Sequence, residues 1–177
     1  MRRSARRRTR KPSVQHFCNR ALELGAEHAK IISPQDVFTA QWVRIKCQYG
    51  CGGYGQCLTC PPYSPTPEET RKMLDEYECI LLVHCKSGHD VRKIVIKLEH
   101  EAFFAGYYKA FAIGAGPCYL CDECAMDEGC PHPDLARPSM EACGIDVFKT
   151  ARNAGLPIEV VPPEGGDENY YGLLLLE

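Results

Sequence analysis

A chain of 177 residues that is 45% hydrophobic and 25% charged carries enough apolar material to close a core without covalent staples. Its 12 cysteines are therefore not the disulfide framework that rescues very small secreted domains. The net charge of −2 hides an asymmetry: residues 1 to 11 carry seven of the 21 Lys and Arg, so residues 12 to 177 hold 14 basic against 23 acidic side chains, a net of −9.

The opening MRRSARRRTRK lacks the apolar stretch of a secretory signal, and no later run is long enough to span a bilayer. The expectation is a cytoplasmic protein with a disordered basic arm over residues 1–12 and a single cysteine-rich metal-binding domain over residues 13–177. A short basic run at a terminus is read as a solubilising tail rather than a nucleic-acid arm, and no membrane contact is expected.

Residues 14 to 32, VQHFCNRALELGAEHAKII, place Val14, Phe17, Cys18, Ala21, Leu22 and Leu24 near one face of a 3.6-residue period and predict a packed helix. Cys18 on that face reads as a small apolar core residue. After a Ser-Pro break, TAQWVRIKC predicts a strand that delivers Cys47 into a loop too rich in Gly and Pro for regular structure. Thr66 or Ser64 then caps a helix from Pro67 to about Tyr77, with Glu68 and Glu69 in its first turn. ECILLVHC predicts a central strand, and residues 90 to 108 a second long helix. Cys79 and Cys85, about 20 Å apart on an extended strand, read as structural. FAIGAGPC predicts a short strand running into the second cysteine group, SMEACGIDVFKTARNAG a helix closed by Gly155, and IEVV and YGLLLLE two further strands. The pattern is α/β: a small mixed sheet flanked by helices, with two cysteine-rich loops at strand ends.

The second cysteine group, CYLCDECAMDEGCP, spaces Cys118, Cys121, Cys124 and Cys130 as CxxCxxCxxxxxCP. Three thiolates from so short a run converge on one face of a cubane, and the final Cys-Pro resembles the bacterial ferredoxin run. The first group, CQYGCGGYGQCLTCPP, sets Cys47, Cys51, Cys57 and Cys60 within fourteen residues, among glycines that let the backbone approach inorganic sulfide. Two assignments fit the spacing. Each group holds its own cluster, or Cys60 and Cys130 exchange between them, as the Cys-Pro cysteines do in two-cluster ferredoxins. Structural zinc is the alternative, although zinc sites of four cysteines are usually two CxxC pairs across a longer spacer. Iron-sulfur ranks ahead of it, as two 4Fe-4S clusters.

Cys143, in SMEACGIDV, is left out of the ligand sets as a core residue, and His132 beside Cys130 reads as a loop histidine. His84, His89 and His100 show no paired ligand spacing. Arg137 is a candidate for stabilising a reduced cluster or binding an anionic partner. No dinucleotide fingerprint, phosphate loop, nucleophile elbow or HExxH is present.

With CPPYSPTPEET, EHEAFFAGYYKAFAIGAGPCYLC and CPHPDLARPSMEACGIDV laid out, the chain resembles an uncharacterised prokaryotic family of predicted metal-binding proteins, over roughly residues 14 to 175. The resemblance implies metal binding through these same cysteines and adds no substrate. The leading expectation is electron transfer to or within a redox enzyme system, with a redox partner protein drawn to the acidic body. The alternatives are an enzyme in which an open-site cluster acts as Lewis acid and a zinc-stabilised interaction module.

Overall fold

The structure is a computed structural model that describes residues 11–177, so the basic arm expected over residues 1–12 lies almost wholly outside the described residues. Helix α1 (Val14–Glu23) leads into strand β1 (His28–Ile32), and α2 (Gln41–Gly50) precedes the first cysteine loop. Helix α3 (Pro67–Leu74), strand β2 (Ile80–Cys85) and helix α4 (Gly88–Phe104) follow. Strand β3 (Phe111–Ile113) runs into the second cysteine loop, and α5 (Val147–Asn153) and β4 (Tyr170–Leu175) complete the fold.

The four strands form one sheet in the order β1-β2-β4-β3. The α/β class and the small helix-flanked sheet are as expected from the sequence, but the sheet is not mixed: all three ladders run antiparallel. Every residue of β2 is buried, because the period of two sends alternate side chains into two separate cores. Leu81, Val83 and Cys85 pack with α1 and α4 on one face. Ile80 and Leu82 pack with Leu74, Met140, Ile145 and Ala151 on the other. A strand with both faces covered reads as a continuous apolar run. GLLLLE is inner for the same reason: β4 lies between β2 and β3.

Four elements differ from the sequence reading, one being the helix expected over SMEACGIDVFKTARNAG, which begins only at Val147 because residues 140–144 form a turn that Gly144 closes at a φ of 71°. The helix expected over residues 14 to 32 stops at Glu23, because Gly25 takes a φ of 101° that ends the helix cheaply only for glycine. His28–Ile32 then turns back to pair with β2. TAQWVRIKC is not a strand: Gln41–Gly50 is helical. Its β-favouring Trp42 and Ile45 are exposed and only Val43 is buried, so no period-2 face is used. The first cysteine loop consequently leaves a helix end rather than a strand end. The IEVV strand is absent, since residues 158–161 are irregular between Pro157 and the Pro162-Pro163 pair, residues with no N–H for a ladder.

The sheet and α4 approach closely at Gly172, where an added Cβ would stand 2.6 Å from Val91 Cγ1 and 2.9 Å from the Ile113 carbonyl oxygen. Gly172→Ala is expected to cost roughly 1–3 kcal/mol through overpacking, read as a lower urea midpoint of the metal-free protein at unchanged slope.

Burial pushes the core thiols of Cys18 and Cys85 up to about 11 and that of Cys143 up to about 12, from an ordinary 9.0. A raised value means that the fold favours the protonated thiol. This contribution to stability is complete below about pH 9 and is lost as pH rises through 11 to 12. Thermal melts of metal-free protein should therefore shift progressively downward above about pH 9, while melts between pH 7 and 8 show no loss from these thiols.

Candidate metal centre

The first cysteine loop begins on the last turn of α2, which carries Cys47, and Cys51 follows at the helix cap. Gly55, at a φ of 71°, turns the chain so that its N–H donates to the Pro61 carbonyl at 2.8 Å. The Cys60 N–H donates to the Cys57 carbonyl at 2.9 Å, closing a tight turn between these two cysteines. Arg44 fastens the exit of the loop: its guanidinium donates to the carbonyls of Ser64, Pro65 and Ala142 at 3.2, 2.9 and 3.2 Å. The Ser64 hydroxyl donates to the Ala142 carbonyl at 2.6 Å and the Thr70 hydroxyl to that of Cys143 at 2.7 Å. Thr66 caps α3 in a reciprocal box with Glu69, as the sequence predicts. An added Cβ at Gly144 (φ 71°) would overlap the Pro67 ring, so α3 presses directly on the 139–145 segment.

The second cysteine loop hangs from α4. Buried Arg92 donates to the carbonyls of Ala115, Gly116 and Arg137. Two turns on, buried Glu99 accepts from Arg137 Nε at 2.7 Å and from the Ala112 N–H at 2.7 Å. Arg137 also donates to the Pro133 and Ala136 carbonyls at 3.1 and 2.8 Å and is 8% exposed. The sequence reading of Arg137 as a group for a reduced cluster or an anionic partner is therefore corrected: its charge is neutralised by Glu99. Arg92 is the other buried cation of this scaffold. Cys118, Cys57 and Cys60 each act on it electrostatically, although burial lowers its pKa overall. Its Nε has no hydrogen-bond partner among the described residues.

The eight candidate thiols line two cavities. Cys57, Cys118, Cys121, Cys124 and Cys130 surround one of about 480 Å³. Cys47, Cys51 and Cys60 border another of about 600 Å³. Cys57 stands between the two groups: its thiol contacts those of Cys60 and Cys124, and the Leu58 N–H donates to Cys124 Sγ at 3.4 Å. Burial pushes the Cys57 thiol up, but hydrogen bonds from Thr59, Cys124 and Cys118 outweigh it and the net direction is down. Cys60 is driven up to about 11 by burial and then by Cys57, Cys51 and Cys47. Cys47 is raised by burial, then by Cys51 and Glu141. Cys118 is raised chiefly by burial, with Cys57 and Cys130 adding to it. Thiols crowded in this way repel one another as anions, which a bound cation relieves.

A family described as predicted metal-binding protein (DUF2284) matches residues 30–176. The chain belongs to that family. Neither a curated protein nor a solved structure matches it. As a member of this family the chain is a predicted metal-binding protein, and the fit of its residues to a metal is visible in the donor set. Backbone N–H groups of Gly53, Leu58 and His132 point at Cys51, Cys124 and Cys130 Sγ, each at 3.4 Å, a pattern that stabilises thiolate. None of the 12 cysteines is disulfide-bonded. Among the described residues no three His, Cys, Asp or Glu side chains already converge as a single-ion site, and no helix is long and apolar enough to cross a membrane.

Cys143 is 1% exposed and Cys18 3%, the core positions expected for them, and Cys85 is likewise buried. His84 is buried, its Nδ1 2.9 Å from His28 Nδ1 and its Nε2 2.9 Å from Asn169 Oδ1, away from the thiols. Arg44, Arg92 and Glu99 escaped the sequence reading. The one available signal was Arg92 and Glu99 seven residues apart within the apolar run of α4, two turns along the same face.

Glu99→Gln, which leaves the buried Arg137 guanidinium without its counter-charge, should cost roughly 3–5 kcal/mol. Arg152→Gln, at the exposed Arg152–Glu159 pair, should cost under about 1 kcal/mol. Urea unfolding of both metal-free variants checks the contrast.

Proposed function

We propose that this protein is a cytoplasmic iron-sulfur protein, holding two 4Fe-4S clusters on Cys47, Cys51, Cys57, Cys60, Cys118, Cys121, Cys124 and Cys130 and passing electrons to or within a redox enzyme system. The observation that carries the reading is the apposition of the two thiol sets across one wall, formed by the Cys57–Cys60 turn and the Leu58–Cys124 hydrogen bond. Two groups on either side of so thin a partition are suited to passing electrons between them. When bound, the clusters supply one-electron chemistry at potentials set by hydrogen bonds to sulfur, burial and charge.

The chain's own residues provide these influences. The N–H donors at Cys51, Cys124 and Cys130 and the buried Arg92 guanidinium favour the more negative, reduced state. Asp122 and Glu123 line the second cavity, and Asp127 and Glu128 are exposed nearby. This acidic rim suits docking of a basic redox partner at the second cysteine loop.

Anaerobically purified protein should contain about eight iron and eight acid-labile sulfide per chain, and its visible absorbance should bleach on dithionite and return on air-free reoxidation. Stoichiometric zinc without sulfide would overturn the proposal in favour of a zinc-stabilised module.

A further inference from the structure

Most of the large apolar side chains of this fold enter one of its two cores, but Ile96, Leu120 and Leu135 belong to neither. They line instead a groove of about 530 Å³, a volume within the roughly 300–1,000 Å³ usual for small-molecule pockets. Ile96 comes from α4, whereas Leu120 lies in the second cysteine loop and Leu135 in the segment that follows it. The wall opposite the helix is held in place by the chain itself. The Leu135 N–H donates to the His132 carbonyl at 3.1 Å, and Arg137 donates to the Pro133 and Ala136 carbonyls on either side. His100 reaches over from α4, its Nε2 3.4 Å from the Asp134 carbonyl oxygen.

Helix α4 brings positive charge to this groove. Lys93 and Lys97 stand one turn apart in its lining and are exposed, with His89 and His100 a further turn away on the same helical face. Arg92 is the buried member of the lining, 5% exposed. Among the described residues none of these three cations forms a salt bridge, and Arg92 Nε has no hydrogen-bond partner. The acidic side chain in the lining, Glu101, is already taken by Arg20, whose Nε donates to it at 3.0 Å. Residues 12 to 177 carry a net charge of −9, so this local surplus of cations is not a share of a generally basic surface. Two ammonium groups on successive turns suit an anion with several charged oxygens, which a phosphate dianion offers more fully than a carboxylate.

We infer that the groove between α4 and the second cysteine loop is a binding site for a small organic phosphate. Lys93 and Lys97 take the phosphate, and Ile96, Leu120 and Leu135 take an apolar body attached to it. Arg92 adds its charge from behind, its terminal nitrogens being committed to the carbonyls of Ala115, Gly116 and Arg137. A lipid headgroup carries the same chemistry, but a groove walled on one side by a helix and on the other by a loop suits a soluble ester. Leu120 also lines the cavity of the second cysteine loop, so the bound ester lies one side chain away from the metal loop. The site does not depend on which metal the cysteines hold.

Isothermal titration of the metal-loaded protein with 1-naphthyl phosphate tests this. Binding should saturate at one per chain, with inorganic phosphate and 1-naphthol each at least about tenfold weaker, since each keeps only one of the two kinds of contact. The double variant Lys93→Gln/Lys97→Gln, at unchanged metal content and melting temperature, should bind the ester at least about tenfold more weakly. Leu135→Ala should weaken the ester and leave inorganic phosphate as it was; equal losses for both overturn the apolar seat. No saturable binding at millimolar ester, or equal affinity in the double variant, overturns the site. Cosedimentation with phosphatidic acid vesicles but not with neutral ones, lost in the double variant, overturns the soluble ester in favour of a lipid surface.

Discussion

A loop with no helix or strand of its own must still find partners for its backbone carbonyls, and where it is pressed against a core water cannot supply all of them. In this fold that need falls on arginine. Arg44 from α2 gathers the carbonyls of Ser64, Pro65 and Ala142, Arg92 from α4 those of Ala115, Gly116 and Arg137, and Arg137 those of Pro133 and Ala136. A guanidinium has five donors in a rigid fork, so one side chain fixes several turns of irregular chain at once. Glu99 supplies the counter-charge and also takes the Ala112 N–H at the end of β3. The cysteine loops are thereby set against the sheet before any metal is considered.

That scaffold has a consequence for charge. Arg137 is neutralised by Glu99, whereas Arg92 feels the charge of Cys118, Cys57 and Cys60. Cys60 and Cys118 in turn are raised mainly by burial and by neighbouring thiols, the signature of would-be anions sharing a poorly solvated space. A single buried cation offsets only part of that repulsion. A bound metal would complete it, and so would couple occupancy to the order of the loops around it.

The two cavities also differ in what they present to the outside. Acidic side chains rim the second, while the first opens onto apolar surface from α2, α5 and the segment after it. Both adjoin the same turn, Cys57 to Cys60, whose two thiols are in contact.

Much of this was legible in the chain itself. The continuous apolar run ILLVHC reads as a doubly covered strand because burial on both faces removes any alternation, and Thr66 with Glu69 marks a helix start because a capping box is a purely local arrangement. The family's predicted metal binding is also what the cysteine spacing suggests, since a handful of residues cannot separate thiols that three-residue steps bring together. Helix α2 was misread because β-favouring side chains sit there on an exposed face, where propensity is outweighed by the helix's own backbone bonding and by the reach of Arg44. Which thiol faces which cavity was beyond the sequence as well. Spacing constrains how near two cysteines are, but the side of a turn on which each sulfur emerges depends on how separate loops are clamped together. That was decided by long-range contacts from Arg44, Arg92, Glu99 and Leu58, between residues that no local pattern connects.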